Sequence, residues 1–232
     1  MKHHLNGGKL KNGIPQPLCG ETRFRNLQTR LDMVNCDRCL QARNSLMSEY
    51  EPIALVDMDG TVCNFHDTME HDLHALLGRT RVPKDVRWKI GLLIRSQEGW
   101  FQNLKPIPLG FKIVGLLRSL GYDIMVLTKG NTKIKSCWSE KAMWCTKHMP
   151  FAKVTITEDK GLVYGRVLVD DWVPYIERWK KWRPRGIVIV PAQPWNRNVK
   201  GDGIYRVRHA ADLARLKPIL AAQAVRPPGA KR

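Results

Sequence analysis

The chain has 232 residues, 43% of them hydrophobic, and a formal net charge of +18. Its size and apolar content suit one α/β domain with a small extension, and no stretch approaches the roughly 18 apolar residues that a membrane span needs. The charge favours anionic partners such as nucleotides, nucleic acid or acidic surfaces, without choosing among them. Met1 to His4 lead into a polar stretch with no apolar signal region, so a cytoplasmic location is expected. In a reducing compartment the six cysteines would be thiols or metal ligands rather than disulfides.

Residues 1–49 are rich in Gly, Asn, Arg and Cys and show little apolar periodicity. Cys36 and Cys39 form a CxxC knuckle, with Cys19 and His4 upstream. Three thiolates and an imidazole would close a tetrahedral structural Zn²⁺ site, with His3 as the alternative to His4. So short and polar a segment would fold only with such a clip. The order His, Cys-Gly, Cys-x-x-Cys-Leu resembles small zinc modules of phage and actinobacterial proteins, which implies a phage origin and the cytoplasm of an infected bacterial cell. Arg23, Arg25, Arg30, Arg38 and Arg43 equip the segment either for nucleic-acid contact or for docking.

From residue 50 to 220, apolar runs alternate with amphipathic segments. Ile53 to Val56 reads as a buried strand ending at Asp57. Met69, Leu73, Leu76 and Leu77 have helical spacing, as do Ile113, Val114, Leu117 and Leu120, with Gly121 as the stop. Further strands are expected at Asp123 to Leu127, Lys153 to Thr157, Arg166 to Val169 and Gly186 to Val190, with a helix over Ser139 to Lys147. This order predicts an α/β fold with a Rossmann-like parallel sheet, in which ligands bind beyond the carboxyl ends of the strands. Residues 221–232, basic and containing Pro227-Pro228-Gly229, are expected to be a disordered tail.

Polar residues follow the expected strand ends: Asp57 and Asp59 after the first, Thr128 after the second, Lys160 after the third, and Asp170 with Asp171 after the fourth. In a parallel sheet all would meet at one edge. Carboxylates crowded in this way need a cation, and hard oxygen ligands favour Mg²⁺.

Asp57-Met58-Asp59-Gly60-Thr61, Thr128, Lys160 and Val169-Asp170-Asp171 resemble, in order, the four motifs of the haloacid-dehalogenase (HAD) phosphatases. The resemblance implies Asp57 as nucleophile, forming an aspartyl-phosphate. It implies Asp59 as general acid and base, Thr128 as a hydrogen-bond donor to the phosphoryl group, and Lys160 as the neutralising cation. Asp57, Asp59, Asp170 and Asp171 would form the Mg²⁺ site, a backbone carbonyl among the ligands.

The run Glu98 to Gly110, Lys141-Ala142-Met143-Trp144 and His148-Met149-Pro150 narrow the resemblance to the 5′(3′)-deoxyribonucleotidases, over roughly residues 51–196. It implies a small helical cap over 62–109, with Phe65 eight residues after the nucleophile as a base-stacking aromatic. Trp88 and Trp100 are further candidates for that wall, and Lys129 for a phosphate contact. The expected substrate is a (deoxy)nucleoside monophosphate. The alternatives are a phosphatase acting on 3′- or 5′-ends of nucleic acid, as in the phosphatase half of a polynucleotide kinase, and an inactive zinc-containing nucleic-acid-binding protein. No membrane partner is expected. The resembled family often forms homodimers.

Overall fold

Alternate residues of the first core strand, β1 (Ile53–Val56), enter different hydrophobic clusters: Ala54 and Val56 one, Leu55 the other. All three are fully buried, because helices cover both faces of the sheet. The computed structural model describes residues 52–78 and 81–224. Of the chain before them it describes only the backbone of three short strands, His4–Lys11, Ile14–Pro17 and Leu27–Gln28.

The strands that follow β1 are β2 (Asp123–Lys129), β3 (Lys153–Thr157), β4 (Val167–Val169), β5 (Ile187–Pro191) and β6 (Ile204–Val207). They form one sheet in the order β3-β2-β1-β4-β5-β6, with every pair parallel. The strand order reverses between β1 and β4, and the crevice at such a switch point is where open α/β sheets bind ligands.

Among the described residues, six α-helices lie between and after these strands: α1 (Phe65–Leu77), α2 (Lys84–Arg95), α3 (Pro108–Ser119), α4 (Cys137–His148), α5 (Val173–Trp182) and α6 (Leu213–Ala224). Ile113 of α3, Trp144 of α4 and Leu216 of α6 pack on the face holding Ala54 and Val56. Ile176 and Trp179 of α5 pack on the face holding Leu55. Helices α1 and α2 stand apart as a cap around Met69, Leu73 and Ile94. None of the described helices is long and apolar enough to cross a membrane.

Some elements depart from the sequence expectation. The sheet has a sixth strand, β6, whose four residues include Arg206. Strand β2 runs two residues past Leu127, so Thr128 and Lys129 belong to the strand end itself. Residues 221–224, expected to begin a disordered tail, are the last turn of α6, as Ala221, Ala222, Gln223 and Ala224 are good helix formers. The expected zinc ligands Cys19, Cys36 and Cys39, and the side chain of His4, lie outside the described residues.

Helix α3 begins against the loop that follows β1. A Cβ at Gly110 would stand 2.1 Å from the Thr61 carbonyl oxygen, so glycine allows that approach. Gly110→Ala is expected to lower stability by about 3 kcal/mol, read as a drop in the urea midpoint at unchanged slope.

Candidate functional site

Four strand ends deliver their polar residues to one edge. Asp57 leaves β1 and Asp170 and Asp171 leave the adjacent β4. One carboxylate oxygen from each can lie within 4.8 Å of the other two, and all three residues are buried. Thr128 comes from β2 on the other side of β1, and Lys160 from the short 3₁₀ turn Lys160–Leu162 after β3.

Three buried carboxylates at this spacing repel, and one lysine answers part of that charge. The Lys160 ammonium, 2% exposed, lies 2.6 Å from Asp57 Oδ1 and 2.8 Å from Asp170 Oδ2. Burial weakens its charge, but Asp170 and Asp57 outweigh that and hold it above the usual lysine range. Burial pushes Asp57 well above the usual carboxylate range; Lys160 opposes this, while Asp170, Asp171 and Asp59 add to it. Oxygen ligands with surplus negative charge, dry and closely spaced, fit a hard divalent cation such as Mg²⁺.

Backbone and side-chain contacts set the orientation of each carboxylate. Asp57 Oδ1 accepts from the Met58 amide at 2.7 Å and Asp170 Oδ1 from the Trp172 amide at 2.9 Å. Asp171 Oδ2 accepts from the Trp195 indole at 3.1 Å, and the Trp195 ring packs 4.2 Å from that of His66 on α1. Gly60, at φ +78°, permits the turn after Asp59, and a Cβ there would meet Asp171 at 2.7 Å and His66 at 2.9 Å.

Asp59 faces another way. Its side chain is a quarter exposed, and its Oδ2 lies 2.6 Å from Lys141 Nζ on α4. Its Oδ1 accepts from the Cys63 thiol at 3.6 Å. The carboxylate therefore turns toward Lys141 rather than joining the cluster of Asp57, Asp170 and Asp171. Lys141, 1% exposed, also donates to Thr128 Oγ1 at 2.9 Å and to the Lys129 carbonyl at 2.8 Å, which uses all three of its protons. Burial would lower its pKa, but the Asp59 carboxylate outweighs that and raises it. The preceding residue of α4 holds the cap: Glu140 accepts from the Gly99 and Phe101 amides, each at 2.9 Å.

In front of these residues a cleft of about 620 Å³, bounded by Asp57, Lys160 and Asp171, adjoins a compartment of about 350 Å³. Phe65, Trp88 and Lys129, expected to contact substrate, line both. Trp100 does not line them. Its ring packs edge-on against Phe65 at 5.3 Å and its indole donates to Asp72 at 2.8 Å, so it supports Phe65 from behind. Sequence reasoning passed over Lys141, Arg95, Tyr175 and Trp195 as site residues. For Lys141 a signal existed: it shares a helix face with Trp144, and a lysine on an apolar face needs a buried partner.

Residues 51–225 match the family model described as 5′ nucleotidase, deoxy (Pyrimidine), cytosolic type C protein. No curated protein matches the chain. Among solved structures, a protein of Burkholderia xenovorans LB400 described as a haloacid dehalogenase-like hydrolase is 17% identical, at a TM-score of 0.49 over 74% of this chain and 98% of its own. YfnB of Bacillus subtilis, described as a HAD-hydrolase and bound to magnesium, is 12% identical, at 0.44 over 72% and 98%. A phosphoserine phosphatase from T. onnurineus is 14% identical, at 0.41 over 72% and 94%.

A divalent cation can bind only when the raised carboxyl groups of Asp57 and Asp170 have lost their protons. Calorimetric titration is therefore expected to show weaker Mg²⁺ binding at pH 5.5 than at pH 7.5. Asp171→Asn should weaken it about tenfold or more at either pH.

Proposed function

As the chain belongs to the 5′ nucleotidase, deoxy (Pyrimidine), cytosolic type C protein family, and so is a HAD-type phosphatase, we propose that it is a Mg²⁺-dependent nucleotidase acting on (deoxy)nucleoside monophosphates. The observation that carries the reading is the meeting of Asp57, Asp170, Asp171 and Lys160 at the switch point, beside a cleft with an aromatic wall.

Asp57 attacks phosphorus. Lys160 and the Met58 amide hold its Oδ1, which leaves Oδ2 for bond formation. As the new P–O bond forms, the ester P–O bond breaks, and Asp59 gives its proton to the departing sugar oxygen. Asp59 then takes a proton from water, which attacks the aspartyl-phosphate, frees inorganic phosphate and restores Asp57. The Thr128 hydroxyl accepts from Lys141, so its own proton is directed elsewhere, to a phosphoryl oxygen. Asp57, Asp170 and Asp171 would hold Mg²⁺, which would supply charge neutralisation at the phosphoryl group. Phe65 and Trp88 offer π-faces to the base.

A second reading, removal of phosphate from nucleic-acid ends, is favoured by the net charge of +18, which a mononucleotide does not require. Phosphate release with Mg²⁺ from deoxynucleoside monophosphates and from 3′- or 5′-phosphorylated oligonucleotides separates the two. The nucleotidase reading expects release from the monophosphates, reduced about a thousandfold or more in Asp57→Asn. Release from oligonucleotides alone moves the assignment to end processing. Lys141→Met is expected to lower kcat about a hundredfold, through lost orientation of Asp59 and Thr128, with Mg²⁺ affinity unchanged by calorimetry.

A further inference from the structure

The cleft holds more positive charge than a monophosphate uses. The 350 Å³ compartment beside the acidic cluster is lined by four cations, Arg95, Lys129, Lys133 and Lys141, and by two carboxylates, Asp59 and Glu158. Lys141 and Asp59 neutralise each other at 2.6 Å. Arg95, Lys129 and Lys133 then face only Glu158, an excess of two positive charges where the base and sugar of a nucleoside monophosphate would offer none.

Arg95 is the strongest part of this observation. It comes from the last turn of α2, and its Nε donates to the Gly91 carbonyl at 2.8 Å. Its guanidinium lies 5.9 Å from the Phe65 ring centre. No carboxylate among the described residues forms an ion pair with it, and burial holds it below the usual arginine range, with the Asp59 carboxylate opposing this from a distance. The carboxylate that acts on it, Asp59, is already paired with Lys141, so the half-buried guanidinium has no ion-pair partner of its own, an electrostatic cost, and its Nη groups match the oxygens of a phosphate. Opposite it, Lys133 sits 4.7 Å over the Trp88 ring, which puts an ammonium at the mouth between cap and core.

We infer that the preferred substrate is a nucleotide carrying a second phosphate group, which Arg95, Lys129 and Lys133 receive while the first reacts at Asp57. The inference rests on the nucleotidase reading above. The chemistry is that reading's hydrolysis: one ester P–O bond breaks, water is consumed, and the products are inorganic phosphate and a nucleoside that keeps its second phosphate. That second group has two sources, a free nucleoside bisphosphate or the first phosphodiester of an oligonucleotide.

The test compares kcat/KM for thymidine 5′-monophosphate, thymidine 3′,5′-bisphosphate and the 5′-phosphorylated dinucleotide pTpT. A preference of about tenfold or more over the monophosphate is expected. The better of the other two substrates identifies the source, while turnover of pTpT alone overturns the inference together with the nucleotidase reading, in favour of end processing. The preference should fall toward one in Arg95→Met/Lys133→Met, and with rising salt. Equal kcat/KM for all three overturns the inference and leaves the nucleotidase reading standing. Absence of turnover with all three defeats that reading instead. Calorimetric binding to Asp57→Asn then decides the inference without catalysis: tighter binding of bisphosphate or pTpT than of monophosphate supports it, and equal affinities overturn it.

Discussion

The bridge from Lys160 to Asp57 and Asp170 is the interaction on which the rest of the site depends. Three buried carboxylates at the end of a dry parallel sheet are held together against their repulsion and their lost hydration. Removing one partner of such a group leaves uncompensated buried charge, which costs about 3–5 kcal/mol in buried pairs. The lysine can reach both carboxylates because β3 delivers it to the same edge as β1 and β4. Position in the sheet order, and not proximity in sequence, makes this contact.

The second buried lysine organises the other half of the site. Lys141 ties Asp59 to Thr128 and to the end of β2. Its neighbour Glu140 grips the amides of Gly99 and Phe101, where the cap returns to the core. Two consecutive residues of α4 thus fix the loop after β1 and the cap's attachment together. Trp195 makes another connection across the cleft, bonded to Asp171 and packed on His66 of the cap. The cap is therefore anchored at the residues whose chemistry it covers.

Much of this was legible in the sequence, and the exceptions have physical causes. Strands β1, β4 and β5 stood out because both faces are buried and their runs are almost wholly apolar, while the edge strand β3 stood out by its β-branched alternation. Their terminal polar residues were therefore easy to place at one edge. Strand β6 was hidden because it is an edge strand containing Arg206, whose side chain bonds Asn196 and the Gln193 carbonyl. Helix α6 carries Pro218 within it, which reads as a break from sequence alone. Lys141 and Arg95 were harder still. Both reach the cleft from helices, by packing rather than by adjacency to a strand end. Trp100 erred the other way: an aromatic at the right place in the cap proved to be the backing of Phe65.

The two aspartates of the first loop illustrate how environment divides chemical roles. Asp57 and Asp59 are chemically identical and two residues apart. The turn at Gly60 sends them to different surroundings. Asp57, with 6% of its side chain exposed, shares Lys160 with the acidic cluster where a cation fits. Burial raises the Asp57 carboxyl there, and the Lys160 ammonium 2.6 Å away opposes that rise. Asp59, with 25% exposed, is fixed by a thiol and an ammonium at the cleft wall, open to water. On the nucleotidase reading proposed above, Asp59 would gain and lose a proton in each turnover and so need that access, whereas Asp57 as nucleophile would not. The split follows from which lysine each carboxylate meets, so the sheet order that separates Lys160 from Lys141 also separates the proposed nucleophile from the proposed acid.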